Sequence, residues 1–544
     1  MKRATLLILL LFVLATTVVV SYTRPRFLIG ADVKQSRWPV TAPVAVTVNI
    51  DGPNFITAGS QPFEAVRNAF ESRSAYSAIE FAPVLSSTPD TIATDGTSLV
   101  TFKDTAGNRS ASAGFGAVTF FWFTVVGGEP VVTESDIVFN PLVTHTTTGA
   151  GGLDIENLAS HEIDHFLSLE HSAVITSTGY PNFGSGDTTK RSLDADDIAG
   201  TEFLYPFPDF STRTGSLSGT VISVPGSNPV FGAQVVAVGS DGEPVSELSV
   251  TGGVWFIDGL VPDDYTIYVE PFDGPTFPSL IDDGIYSNTF DTVFNTAVDG
   301  GTATPTVHTL AAGGSIGGIS LSVPIQVRAN PDRFGLSPNG TTPVQQTSAV
   351  GVFQGGSAFL SVSGFGIDQI PDDGLSVTGS GVNVSSTGVV RGTAGGDPYM
   401  IASLTVDANA SAVPRSIIVE GSLGRYGVIT GGFEVYRATP LPDLLRTDVV
   451  TATDPTVPPL AGVFPLDGLG PDAFPGNGEG VLRASAGSDD DDDLYVPQIP
   501  SGFLDPDIDV LADTSTPLVF YRLSDPSLTL TLEITASGRL RFVY

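Results

Sequence analysis

The chain has 544 residues, no cysteine and a formal charge of 24 − 59 = −35. It is too long for one domain, the missing cysteines exclude disulfides, and the charge excludes nucleic acid and anionic membrane surfaces as partners. With 61 glycines, 40 prolines, 15% charged and 41% hydrophobic residues, it reads as packed domains of short strands and turns, not as a disordered chain.

Lys2 and Arg3 precede an apolar run from about Ala4 to Val20, which reads as a signal peptide over residues 1–22. The run approaches bilayer length, so an uncleaved anchor, and with it cell-surface association, stays open. No stable membrane span is expected beyond that leader. Export without disulfides points to a bacterial secreted protein. Alternation from Val44 to Ile50 predicts a first strand, and Phe63, Val66, Ala69 and Phe70 have the spacing of a helix over Pro62 to Tyr76. Ile79 to Val84 and Gly116 to Phe123 read as further strands; the latter is either an edge strand or a buried one.

Three of the five histidines then fall in one stretch, at His161, His165 and His171. His161 and His165 are four apart, so on a helix both imidazoles project from one face. Glu162 completes an HExxH pattern, in which the glutamate polarises the attacking water beside a metal. His171 lies six residues beyond His165, off that helix face. It joins the site only if the helix stops near Ser168 and the chain turns back. Three neutral imidazoles with an open fourth position are the ligand set of a catalytic zinc.

The stretch resembles the metzincin signature HExxHxxGxxH, and its flanks resemble the matrixin branch. Ser172 follows the third His, Asp154 to Ser160 resembles the helix lead-in, and Tyr180-Pro181 sits where the Met-turn is expected. Ser135 to Asn140 resembles the "ADIVFN" strand, and Leu193 to Gly200 the start of the last helix. The resemblance covers residues 36–208 and implies an α+β metzincin fold, an edge strand that pairs with an extended substrate, and a pocket partly walled by Tyr180 and Pro181. Three positions depart from the pattern. Ser168 replaces a turn glycine and predicts a strained turn. Gly179 replaces the methionine that packs beneath the ligands. Asp164, often Gly in the family, is expected to face solvent. The second, structural zinc of animal matrixins is not expected, because His145 is the one histidine ahead of the helix and reads as a surface-loop residue. Ser192 reads as the N-cap of the last helix, with Asp194, Asp196 and Asp197 in its first turn for structural reasons.

After Pro208 the character changes to short strands with frequent turns. Gly215 to Val221, Gly232 to Val238, Val254 to Leu260 and Tyr265 to Pro271 resemble a carboxypeptidase-regulatory-like (transthyretin-like) β-sandwich over 212–323. Ser357 to Ile367, Ile417 to Glu420 and Gly432 to Val435 resemble an Ig/IPT-like sandwich over 324–437. Residues 438–500 read as an acidic Pro/Gly-rich linker in which Asp489 to Asp493 repel one another; calcium binding there is the alternative to solvation. Residues 501–544 read as a small terminal β unit.

The reading is a multidomain chain: an α+β metzincin domain followed by all-β sandwich domains. The expected function is a secreted zinc-dependent metalloendopeptidase acting on extracellular proteins or peptides. His161, His165 and His171 would hold one Zn2+, with Glu162 as general base. The alternative is a non-catalytic extracellular adhesion or matrix-binding protein that keeps the metzincin fold. The substrate, the oligomeric state and the ligands of the sandwiches are not specified by the sequence.

Overall fold

The computed structural model describes residues 35–437 apart from 52–54, 150 and 282–289; outside that range it gives only the backbone of short strands. The leader, the linker with Asp489 to Asp493 and the terminal unit lie beyond that range. Within the segment read as a solvated linker, Leu482–Ser485 pairs with Asp493–Val496. In the terminal unit Leu518–Arg522, Asp525–Ile534 and Leu540–Val543 form an antiparallel sheet. Among the described residues no helix is long and apolar enough to cross a membrane.

The first unit contains β1 (Val44–Asn49), α1 (Pro62–Ala75), β2 (Phe81–Leu85), β3 (Leu99–Thr101), α2 (Ala106–Ala111), β4 (Ala117–Val126), β5 (Glu129–Phe139), β6 (His145–Thr146), β7 (Leu153–Asp154), α3 (Ile155–Phe166) and α4 (Ala195–Leu204). Its main sheet has the order β2-β1-β3-β5-β4, all parallel except the edge strand β4, which runs antiparallel to β5. Alternation in β1 buries Val44, Val46 and Val48. Across the sheet α1 packs Phe70 on Phe81 and on Phe166 of α3, with ring centroids 4.7 and 5.3 Å apart.

α3 lies between α1 and β4 and has almost no solvent face: ten of its twelve residues are buried. This corrects the expectation for Asp164, which is 2% exposed. It sits 2.6 Å from the Arg73 guanidinium of α1, itself fully buried. Arg73 also donates to Thr201 Oγ1 and to the Ser160 carbonyl. Burial nevertheless pushes the Asp164 carboxyl up to about 7. The helix is capped at Asp154, which accepts from the Asn157 N–H and pairs with Arg191. At the other end the Trp38 indole donates to the Phe166 carbonyl (2.8 Å) and the Tyr205 hydroxyl to that of Leu167 (2.8 Å). Carbonyls that a buried helix end would orphan are thus paired.

The first β-rich unit pairs two sheets. One runs β11-β8-β15, the other β10-β9-β12-β13 with β14 beside β12, from β8 (Gly215–Val224), β9 (Gln234–Val238), β10 (Pro244–Leu248), β11 (Val254–Leu260), β12 (Asp263–Glu270), β13 (Ala297–Val298), β14 (His308–Leu310) and β15 (Ser315–Pro324). The second has β16 (Asn330–Leu336), β17 (Val350–Phe353), β18 (Ser357–Phe365), β19 (Leu375–Val377), β20 (Val382–Val384), β21 (Val390–Ala394), β22 (Asp397–Val406), β23 (Pro414–Gly421) and β24 (Arg425–Tyr436). Its sheets run β16-β18-β22-β20, with β21 beside β22, and β17-β24-β23-β19.

These units do not hang from the first like beads. One continuous core runs from β1 and α3 through Leu204 and Tyr205 into Leu217, Trp255 and Leu260. Gly259 (φ 77) lets β11 approach α4 so closely that a Cβ would lie 3.0 Å from the Ala199 carbonyl oxygen. α4 is capped by Asp194 in a reciprocal box with Asp197, two residues later than the expected Ser192. Its first turn docks on β10 and the turn before it: Ala195 N–H donates to Glu243 Oε1 (3.0 Å) and Ser246 N–H to Asp196 Oδ1 (2.8 Å).

Two outcomes follow. Arg73→Met leaves Asp164 buried without its counter-charge and is expected to cost about 3–5 kcal/mol, read from urea unfolding. An Arg73→Met/Asp164→Leu double variant recovers part of that loss. The second concerns Glu243, pushed up to about 8 by burial and by Asp241, against about 4.3 in an unfolded chain. The folded state therefore holds a proton that the unfolded chain releases, and stability falls as pH rises from about 4 to 8. Glu243→Gln is expected to flatten the fall in Tm between pH 5 and pH 8; an unchanged slope would remove Glu243 from the account.

Candidate metal centre

Helical spacing sets the His161 and His165 rings 4.9 Å apart at 88°. The helix then ends abruptly. Leu169 N–H returns to the Asp164 carbonyl (2.7 Å) and Ser168 N–H to that of His165 (3.0 Å), the hydrogen-bond pair of a Schellman turn. Such a turn needs one left-handed residue, and it is Ser168, with φ 63. A non-glycine residue there costs about 1–2 kcal/mol. The Ser36 hydroxyl, 2.8 Å from that of Ser168, partly offsets the cost. The reversal brings the His171 ring to 5.2 Å from His161 and 5.0 Å from His165. One ring nitrogen from each histidine then lies within 4.8 Å of the others.

The donor set fits a zinc ion. His161 Nδ1 faces the Thr178 carbonyl at 2.8 Å and His165 Nδ1 faces that of Leu169 at 3.0 Å. A carbonyl only accepts, so each Nδ1 carries the proton and each Nε2 keeps a lone pair for metal. Burial, helped by the neighbouring imidazoles, holds His161 well below the usual histidine range, hence neutral. Glu162 is 3% exposed. The Thr119 hydroxyl on β4 lies 2.6 Å from its Oε2 and 3.0 Å from its main-chain carbonyl. The edge strand therefore touches the expected general base directly.

Behind the three histidines runs segment 172–183. Asp197 accepts from Thr178 N–H (3.0 Å) and Ser177 Oγ (2.6 Å), and Asp196 Oδ2 from Ser172 Oγ (2.6 Å). The aspartates of α4 therefore do more than complement the helix dipole: they pin the chain that orients His161. Gly179 occupies a crowded place, where a Cβ would meet Ser172 N at 3.1 Å. An aromatic contact on His161 comes from Phe183, edge-on at 4.8 Å. Lys190, buried and lowered to about 8 by that burial, donates to the carbonyls of Tyr180 (2.6 Å) and Asn182 (3.1 Å). Of the two residues expected to wall a pocket, Pro181 keeps surface, whereas Tyr180 is 1% exposed and packs into the core of the second β-rich unit. His145 is also corrected: it is fully buried on β6 against Phe55, Phe102 and Phe139, and burial lowers it to about 4.

His161, His165, His171 and Glu162 were all visible in the sequence. Arg73, Thr119, Lys190 and Phe183 were not, because none of them carries a local pattern.

Among solved structures, the minor pilin GBS52 of Streptococcus agalactiae aligns with 24% of this chain and 49% of its own at 13% identity. Its TM-score of 0.14 is too low to support an argument. Curated relatives match over short stretches. Metalloendoproteinase 2-MMP of Arabidopsis thaliana is 41% identical over 71 residues, 12% of this chain and 18% of that protein. Karilysin of Tannerella forsythia is 36% identical over 90 residues (14% and 18%) and human matrilysin 37% over 54 (10% and 20%). The chain thus spans no more than a fifth of the length of these relatives. Residues 38–206 match the family model of the matrixins, peptidase M10, and over that segment the chain is similar to matrixin metallopeptidases.

Proposed function

We propose that the protein is a secreted zinc metalloendopeptidase that cleaves extracellular proteins or peptides. The observation that carries this reading is the convergence of the His161, His165 and His171 nitrogens beside the buried Glu162. The chemistry that zinc supplies when bound is Lewis acidity. His161 and His165 present neutral donors held by the Thr178 and Leu169 carbonyls. Glu162 takes a proton from the attacking water and returns it to the leaving amine. Thr119 serves both states of that carboxyl. Its hydroxyl has one proton and two lone pairs. It donates to Glu162 Oε2 when the carboxyl is ionised. When Glu162 carries the proton, it accepts from the carboxyl and donates to the Glu162 carbonyl. Substrate lies extended along β4, whose outer edge pairs with no other described strand.

The rest of the chain fits export. The leader read over 1–22 fits secretion by a bacterium, and calcium at Asp489 to Asp493 is a separate, metal-titratable point. The charge of −35 argues against nucleic acid as a partner.

Purified protein is expected to cleave members of a mixed peptide library. A chelator should remove the activity, and Glu162→Ala should lower kcat by about 10²–10⁴-fold with zinc still bound. Protein that holds one zinc and cleaves nothing would instead support an adhesion or matrix-binding role. Thr119→Val is expected to lower kcat on the order of tenfold, equivalent to about 1.4 kcal/mol, with KM little changed. A change confined to KM would place Thr119 in substrate binding instead.

A further inference from the structure

The segment that orients His161 is built into the two β-rich units. Ile175 N–H donates to the Thr430 carbonyl on β24 (3.1 Å). Gly431, at φ +66, lies so close that a Cβ would meet Val174 Cγ1 at 2.6 Å, Ile175 N at 2.9 Å and Thr176 Oγ1 at 3.0 Å. Ile175 and Tyr180 belong to the apolar core that contains Ile429 and Phe433. Two residues on from Thr176, the Thr178 carbonyl accepts from His161. A second attachment runs through Asp196. One carboxyl oxygen accepts from Ser246 N–H on β10, the other from Ser172 Oγ, beside the ligand His171. The two β-rich units are themselves joined at this place, where the Tyr268 hydroxyl of β12 meets Thr430 Oγ1 (2.8 Å) and Ser416 Oγ (3.1 Å).

We propose that the β-rich units are working parts of the metal centre: Thr430-Gly431 and Ser246 hold segment 172–180 in the conformation that presents the Thr178 carbonyl to His161. They are positioning elements, not spacers or independent adhesive modules. The physical reason lies in the segment itself. It has no regular secondary structure between Glu170 and Thr188, yet it must hold an imidazole within a few tenths of an ångström. Val174, Ile175 and Tyr180 are each no more than 1% exposed, and much of that burial is against residues after Thr214. Groups that orient metal ligands from behind change metal affinity by about 10–100-fold when disturbed. A disturbance at Gly431 therefore reaches the metal although it lies in another domain.

The inference rests on the metal-centre reading, and its test is separable from peptidase activity. The full chain is compared as wild type, Gly431→Ala, Tyr268→Phe and Gly388→Ala. Gly388 also has a positive φ (73) in the second β-rich unit but nothing within 4 Å of a new Cβ, so it controls for backbone strain alone. Hydrogen exchange of amides 172–179 is followed in metal-free protein, and zinc affinity is measured by chelator competition. Gly431→Ala should speed exchange across the segment and weaken zinc by about 10–100-fold. Tyr268→Phe should move both readouts the same way by a smaller factor, and Gly388→Ala should match wild type. Gly431→Ala indistinguishable from Gly388→Ala in both readouts overturns the proposal. If Gly431→Ala does not fold, wild-type exchange and affinity in Tyr268→Phe overturn it. Wild-type protein that binds zinc but cleaves no peptide defeats the peptidase reading and leaves this one to be decided by exchange and affinity.

Discussion

Everything at the centre of this molecule depends on one reversal of the chain. His161 and His165 share a helix face by spacing alone, but His171 reaches them only because the helix stops at Phe166 and turns on Ser168. The turn also does a second job. It swings the Leu169 carbonyl onto His165 Nδ1, so the bend that delivers the third imidazole also fixes the tautomer of the second. A left-handed serine is less comfortable than glycine. The cost of roughly 1–2 kcal/mol is small beside two turn hydrogen bonds, the Ser36 contact and the burial of Leu167 and Leu169. Serine is therefore compatible with the turn, although it is not the residue that backbone freedom alone would select.

The second constraint is electrostatic. α3 buries Glu162, Asp164 and His161 and half-buries His165. Such groups are tolerated only when paired. Arg73 answers Asp164 from α1, Thr119 answers Glu162 from β4, and Thr178 links Asp164 to Asp197 through its hydroxyl. The pairs come from different elements, so they also fix how α1, α3, β4 and α4 lie on one another. Removing one partner would disturb the geometry of the site as well as its charge balance.

How much was legible in the sequence follows from the range of the interactions. The three histidines and Glu162 sit within eleven residues, and their convergence is governed by helix periodicity and one turn, both local, so it could be read directly. The strained turn at Ser168 was readable for the same reason. Asp164 was misread because its burial depends on Arg73 of α1 and on Thr178 beyond the turn, and no helical pattern reports what covers a polar face. His145 was misread likewise: in sequence it stands in a threonine-rich loop, and only Phe55, Phe102 and Phe139 from distant segments make it core. Strands with clear alternation, such as β1, β8, β11 and β18, were visible. β10, β15 and β22 were not singled out as strands, and β10 is the one whose backbone reaches Asp196.

The same locality argument explains why the C-terminal units look like separate modules in the sequence although an apolar core runs from the first unit into the next. Each has its own strand pattern and its own turns, which suggests independent folding. Yet the surface each presents to the first unit is made of features that sequence patterns do not distinguish from ordinary strand and turn residues: Ser246, Gly259, Thr430 and Gly431. Their significance lies in what they face. Gly259 meets Ala199, Gly431 meets Val174 and Ile175, and Ser246 meets Asp196. A side chain at either glycine would push its unit away from the first by the width of a methyl group, and at Gly431 segment 172–180 would lose one wall of its enclosure. An irregular segment becomes rigid only when enclosed on every side. Here one side is α3 with its histidines and the other belongs to units far along the chain.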